Sequence, residues 1–214
     1  MANVLVLIPA YNEDAHIRQV IRDCRKVGFD LLVIDDGSTD TTVATAREEK
    51  AKILRNPQNR GKGYSIQKGL RYAEKHGYEI AVTIDADGQH DPRFIPELVS
   101  ALKDGDMVIG ARKRSQEMPL IRRMSNTVSS YLLSKKLGTF IPDSQSGFRA
   151  MRLSAVNPTD GESAGYEYES EILIQLARRK KKIRSIPIST IYGTEKSTYH
   201  PIRDTLRFFR ILLK

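Results

Sequence analysis

Two aspartates one residue apart, Asp85 and Asp87, stand in the run Asp85-Ala86-Asp87-Gly88-Gln89-His90. Carboxylates this close at the end of an apolar run are costly to desolvate and call for a cation. Aspartate and glutamine oxygens suit Mg²⁺ or Mn²⁺, ions that usually bridge to substrate phosphates. His90 adds a nitrogen acceptable to Mn²⁺. An EF-hand calcium loop is excluded, because the positions that motif reserves for glycine and glutamate hold His90 and Pro96. A plain turn of capping aspartates is the other reading of the run.

Three further polar clusters follow apolar runs. Pro9-Ala10-Tyr11-Asn12-Glu13 offers an aromatic wall for a base and a carboxylate for a ribose, or simply a helix start. Asp35-Asp36-Gly37-Ser38-Thr39-Asp40 offers acceptors for a nucleobase edge or ribose hydroxyls, or a turn with a helix cap. Asn59-Arg60-Gly61-Lys62-Gly63 places two glycines and two cations at a helix start, where backbone amides favour phosphate. Its spacing is neither that of a P-loop nor GxGxxG.

The elements that must carry these clusters alternate strand and helix. Val4 to Ile8, Leu31 to Ile34, Ile80 to Ile84 and Met107 to Ile109 are apolar runs typical of strands buried on both faces, and Ile53-Leu54 reads as a short strand. Asn12 reads as an N-cap, with Glu13 and Asp14 in the first turn of a helix carrying Ile17, Val20, Ile21, Cys24 and Val27. A short helix follows Asp40. Gly61 and Gly63 open a helix that Gly77 closes, and Asp91-Pro92 opens another. Further on, a helix is expected over Leu120 to Leu137, a strand over Phe148 to Met151, a helix around Ile172 to Ala177, and an extended segment over Ile183 to Ile191 bent or edged at Pro187. This rhythm predicts an α/β domain with a mostly parallel sheet between helices, whose ligand crevice lies at the carboxyl ends of the strands. No linker or repeat divides the chain, so one domain is expected, with 1–110 as a nucleotide-sugar half, 111–200 as an acceptor half and 201–214 as a C-terminal helix.

The clusters in this order, continued by Gly110-Ala111-Arg112, Asp143-Ser144-Gln145-Ser146-Gly147-Phe148-Arg149 and Glu167-Tyr168-Glu169-Ser170-Glu171, resemble glycosyltransferase family two, of GT-A (Rossmann-like) fold, and within it the polyprenyl-phosphate sugar transferases. The resemblance implies an inverting, metal-dependent transfer of a hexose from a nucleotide-diphosphate sugar, of GDP-mannose or UDP-glucose type, to a polyprenyl phosphate. It implies that Pro9, Tyr11, Glu13, Asp35 and Asp36 hold the nucleoside, with Lys62 near the entry of the pocket. Asp85, Ala86 and Asp87 would meet the donor, and Asp85, Asp87 and Gln89 would form the set around Mg²⁺ or Mn²⁺. Arg112 would touch the diphosphate or sugar, and Ser146 and Arg149 would face the acceptor. Asp87, Arg149 and Glu169 would carry catalysis, Glu169 being preferred to Glu171 as a base if the acceptor is a hydroxyl. Two residues apart on a helix, those glutamates point in different directions.

Other classes fit less well. A glycan- or lipid-hydroxyl acceptor is the nearest alternative. A sugar nucleotidyltransferase would carry a glycine-rich, arginine-containing signature where Pro9 to Glu13 stands. The net charge of +9 over 214 residues attracts polyanions. A nucleic-acid partner is not expected, since acidic clusters at the strand ends would repel it. One cysteine suits a reducing compartment, and no run approaches the length of a membrane span, ~18 apolar residues. The expectation is a cytoplasmic protein, peripheral on the inner face of the membrane if its C-terminus binds there. The sequence does not fix an oligomeric state.

In the last segment Arg203, Arg207, Arg210 and Lys214 form a basic stripe beside Ile202, Leu206, Phe209 and Leu213. An interfacial helix on an anionic membrane has this pattern, as does a helix docked on protein; Arg178 to Lys182 adds five consecutive cations. The interfacial reading predicts that the protein floats with anionic vesicles and not with neutral ones. Flotation indifferent to lipid charge removes it.

Overall fold

Val4–Ala10 forms β1, and all seven of its residues are buried, as a run without polar alternation requires. The structure, a computed structural model, describes residues 3–112, 120–158 and 163–191. The expected helix over 201–214 lies outside them. Six more strands follow: β2 (Asp30–Asp35), β3 (Lys52–Arg55), β4 (Ile80–Thr83), β5 (Met107–Arg112), β6 (Arg149–Arg152) and β7 (Ile183–Ile188). Their order across one sheet is β3-β2-β1-β4-β6-β5-β7. All pairings are parallel except those of β6, which runs antiparallel to both β4 and β5. The chain leaves β1 toward β2 on one side and returns to β4 on the other. That reversal opens a crevice at the carboxyl ends of β1 and β4.

The helices are α1 (Ile17–Lys26), α2 (Thr42–Glu48), α3 (Lys62–Lys75), α4 (Ile95–Ala101), α5 (Leu120–Leu137) and α6 (Tyr168–Arg178). Val4, Val6 and Ile8 point to one face of the sheet and pack with α1 and α4, while Leu5 and Leu7 point to the other and pack with α3 and α6. Cys24 is wholly buried on α1, and burial pushes its thiol up to about 12.

One expected boundary moves. Asn12 does not cap α1, which begins at Ile17 after a turn. Asn12 instead takes a left-handed φ of 54°, and its side-chain oxygen accepts from the Thr39 amide at 2.9 Å. Its short amide tolerates that conformation, and the cross-link outweighs a local cap. Asp91 does cap, accepting from the Arg93 amide ahead of a 3-10 turn, Pro92–Phe94, that leads into α4.

Ser146 and Arg149 correct a second expectation. Both were to face an acceptor, yet both are buried. Ser146 Oγ donates to the Gly110 carbonyl at 2.6 Å. The Arg149 guanidinium donates to the carbonyls of Ser146, Glu169 and Ser144 at 2.8, 2.5 and 2.8 Å, tying the start of β6 to α6 and to the loop before it. Burial lowers its pKa, partly offset by the fields of Glu169 and Asp143. A guanidinium on three carbonyls is a brace, not an acceptor clamp. Arg149→Ala is expected to lose on the order of 3 kcal/mol of stability in urea unfolding, because buried carbonyls are left unpaired. An unchanged unfolding midpoint would contradict the bracing role.

Candidate active site

The loops after β1 and β2 are laced together along one wall of the crevice. The Asn12 amide donates to Ser38 Oγ at 3.0 Å, and the Glu13 amide donates to Thr42 Oγ1 at 2.8 Å. Tyr11 stands at the rim, 43% exposed, while Pro9 lies within β1. Asp35 and Asp36, expected to meet a nucleoside, are buried beneath this wall. Asp35 accepts from the Ser38 amide and from Arg55 Nε. Asp36 accepts from Asn56 Nδ2 and from the amides of Arg60 and Gly61, at 2.8, 3.0 and 2.8 Å. Both carboxylates therefore shape the pocket wall from behind.

The same bonds correct the reading of Asn59 to Gly63 as a phosphate nest. The Arg60 and Gly61 amides face Asp36, and the Tyr64 amide donates to the Ala164 carbonyl. Residues 163–168 cover the start of α3 so closely that a Cβ on Gly63 would lie 2.7 Å from the Gly165 carbonyl oxygen. What this helix end contributes is the Lys62 side chain.

Lys62 is the electrostatic centre of the crevice. Its Nζ lies 2.6 Å from Asp85 Oδ1 at the end of β4 and 2.8 Å from Glu169 Oε1 in the first turn of α6, with the Tyr166 ring centroid 5.5 Å away. Burial works against its charge, but Asp85 and Glu169 outweigh burial and hold its pKa above the ordinary lysine value. Asp85 gains in return: burial would raise its pKa, yet Lys62 and His90 bring it well below the carboxylate range. Gly147 makes the approach possible, since a Cβ there would lie 2.6 Å from both Asp85 oxygens and 2.8 Å from Lys62 Nζ. The pair of glutamates is also resolved in space. Glu169 turns toward Lys62, whereas Glu171 Oε2 accepts from the Ser163 amide.

Asp87 is left with the opposite balance. Burial and the neighbouring Asp85 charge raise its pKa against the smaller opposing effects of the Gln89 amide, His90 and Lys62, and its Oδ1 accepts from the Gln89 amide at 3.0 Å. A half-buried carboxylate under that strain fits a divalent cation, which would relieve it. Among the described residues no group of three or more His, Cys, Asp or Glu converges as a complete metal cage. Mg²⁺ and Mn²⁺ at phosphate sites need no such cage, being held by one or two protein groups and the substrate phosphates. Asp87 and the Gln89 side chain fit that role. Asp85, expected beside them in the metal set, is already neutralised by Lys62, and Ala86 between them is buried in the core beneath the loop.

Arg112 ends β5 on the crevice and is fixed by a residue that sequence reasoning did not single out. Its Nε and Nη2 donate to the two carboxylate oxygens of Asp143 at 2.7 and 3.0 Å, and Asn126 Nδ2 of α5 donates to the same carboxylate at 2.9 Å. Burial alone would raise the Asp143 pKa; the Arg112 bonds lower it. The only signal for Asp143 was its place in the Asp143–Arg149 run. His90, an expected candidate for Mn²⁺, is buried with its ring 5.3 Å from that of Phe148, and its Nε2 lies 3.8 Å from Asp85 Oδ2.

Residues 5–158 match the model of the glycosyl transferase family 2. A UDP-N-acetylglucosamine–dolichyl-phosphate N-acetylglucosaminyltransferase of Methanococcus voltae is 32% identical over 88% of this chain and 86% of its own length. An undecaprenyl-phosphate mannosyltransferase of Micrococcus luteus is 31% identical over 88% and 83%. Among solved structures, glucosyl-3-phosphoglycerate synthase from Mycobacterium tuberculosis, in complex with Mn²⁺, uridine diphosphate and glucosyl-3-phosphoglycerate, superposes with a TM-score of 0.74 at 22% identity over 99% of this chain and 77% of that one. Its complex with uridine diphosphate alone gives 0.79 at 23% identity, over 99% and 80%. The match over most of the chain, on a seven-stranded mixed sheet whose acidic loops meet at the β1–β4 crevice, makes this protein a glycosyltransferase of family 2 with the GT-A fold.

Proposed function

We propose that the protein transfers a hexose from a nucleotide-diphosphate sugar to a polyprenyl phosphate, with inversion and with Mg²⁺ or Mn²⁺. The observation that carries this reading is the division of charge at the end of β4: Asp85 pairs with Lys62, whereas among the described residues Asp87 has no ion pair and its pKa is raised by burial and by Asp85. The names of the relatives in M. voltae and M. luteus support a polyprenyl-phosphate acceptor.

In this reading the nucleoside lies against the wall built by Pro9, Tyr11 and Glu13 and braced by Asp35 and Asp36. Asp87 and Gln89 hold the cation, which supplies neutralisation of the charge that develops on the leaving diphosphate. Arg112, fixed by Asp143, presents its guanidinium to the same diphosphate, a donor already aimed where charge builds. Asp85, fixed by Lys62, accepts from a hydroxyl of the sugar or ribose. The acceptor oxygen attacks the anomeric carbon from the far side, and the pair of the breaking C–O bond leaves on the diphosphate. A phosphate acceptor, with a second pKa near ~6, is already largely anionic at neutral pH and gives up no proton. That agrees with the place of Glu169, whose carboxylate shares Lys62 with Asp85 instead of standing alone as a base. Arg149, buried in its brace, is not the acceptor clamp. Among the described residues no helix is long and apolar enough to cross a membrane.

Thermal-shift screening against UDP-, GDP- and dTDP-sugars, with and without Mn²⁺, identifies the donor through stabilisation of the native state. With that donor and Mn²⁺, sugar should pass to a short polyprenyl phosphate, not to the matching polyprenol, and chelation should stop it. Transfer to the polyprenol that Glu169→Gln abolishes would establish the hydroxyl-acceptor alternative. Asp87→Ala should reduce turnover by at least a hundredfold while the fold survives, since one electrostatic stabiliser is worth about that much. Gly147→Ala should also cut turnover, because its methyl group displaces Asp85 and Lys62. Wild-type turnover in either variant would refute the assigned charge pattern.

A further inference from the structure

His90 carries an unexplained feature. It is 5% exposed, yet its Nδ1 has no hydrogen-bond partner. Thr190 Oγ1 is likewise buried without one. The two residues oppose each other: His90 and Thr190 form an isolated antiparallel bridge, and the Ile191 amide donates to the Gln89 carbonyl at 2.9 Å. Side chains directly opposed in such a pair lie on one face, with Cβ atoms about 4.5–5.5 Å apart. The chain leaving β7 thus straps the acidic loop down and sets Thr190 opposite His90, each with a buried polar atom that lacks a partner.

We infer that Thr190 and His90 form a positioning relay behind Asp85. The Thr190 hydroxyl donates to His90 Nδ1 through one buried water that bridges the two otherwise unpartnered atoms. An accepting Nδ1 fixes the neutral ring with its hydrogen on Nε2. Nε2 faces Asp85 Oδ2, 3.8 Å away, while Lys62 holds Oδ1 at 2.6 Å. Each oxygen of Asp85 then faces its own cationic or N–H neighbour, which biases the rotation of the carboxylate. Phe148 packs against the imidazole with ring centroids 5.3 Å apart. His90 and Thr190 touch no substrate; they act through Asp85, as an outer partner acts on a ligand-binding group. The inference rests on Asp85 being a donor-side carboxylate, not on the identity of the acceptor.

The tautomer can be read without substrate. Long-range ¹H–¹⁵N spectra of the four histidines, with His90 assigned by its loss in His90→Gln, should show His90 in the Nε2–H form. Thr190→Val should disturb that signal and Thr190→Ser should preserve it. In turnover, with UDP-glucose or GDP-mannose, whichever stabilises the wild type, His90→Phe should lower kcat on the order of tenfold or more at similar melting temperature. His90→Gln, whose Nε2 takes the place of the ring Nε2, should recover most of the loss. An Nδ1–H tautomer in the wild type, a spectrum unmoved by Thr190→Val, or equal kcat for the Phe and Gln variants would overturn the relay. The spectral test stands even if polyprenyl phosphate proves to be the wrong acceptor.

Discussion

One lysine ammonium between two carboxylates from distant parts of the chain organises the crevice. Lys62 begins α3, Asp85 lies in the loop just after β4 and Glu169 lies in the first turn of α6, so their ion pairs join the first part of the sheet to the helix that covers its second part. Desolvating three charges is costly, and the arrangement persists because each charge meets an opposite one at hydrogen-bond distance. Its consequence for chemistry lies next door. With Asp85 paired to Lys62, the least compensated carboxylate described at the end of β4 is that of Asp87, and a cation arriving with a diphosphate meets it there.

Several residues that look like ligand-binding groups serve this arrangement from behind. Asp36 gathers Asn56 and two backbone amides, closing the helix start over which Lys62 projects. Asp143 aims Arg112 with a bidentate contact, and a planar guanidinium held that way is pre-oriented for a phosphate. Arg149 pulls the antiparallel strand β6 and helix α6 together through backbone carbonyls, which sets the distance at which Glu169 meets Lys62. Gly147 keeps open the space in which that meeting occurs.

The elements were legible in the sequence where burial decides them. Unbroken apolar runs announced β1, β2 and β4, and the helix expected over Leu120 to Leu137 is found with those bounds. Pro187 fits the edge position of β7. The antiparallel insertion of β6 between β4 and β5 was not legible, because order across a sheet depends on long-range pairing that no local pattern records. Site residues divided the same way. The acidic loop at the end of β4 was found because apolar run, turn and paired carboxylates are contiguous. The partners of Asp36, Arg112 and Arg149 lie 20 or more residues away in sequence, or on backbone atoms, so their bracing roles leave no trace in spacing. Asn12 misled for a related reason: a good capping residue was taken by a cross-link to the neighbouring loop.

The claim that one carboxylate is balanced and its neighbour left for the cation is tested most directly by Mn²⁺ binding, followed by electron paramagnetic resonance in the presence of the nucleoside diphosphate. The account predicts that Asp87→Asn loses Mn²⁺ binding while Asp85→Asn retains it. Undiminished Mn²⁺ binding by Asp87→Asn would contradict it.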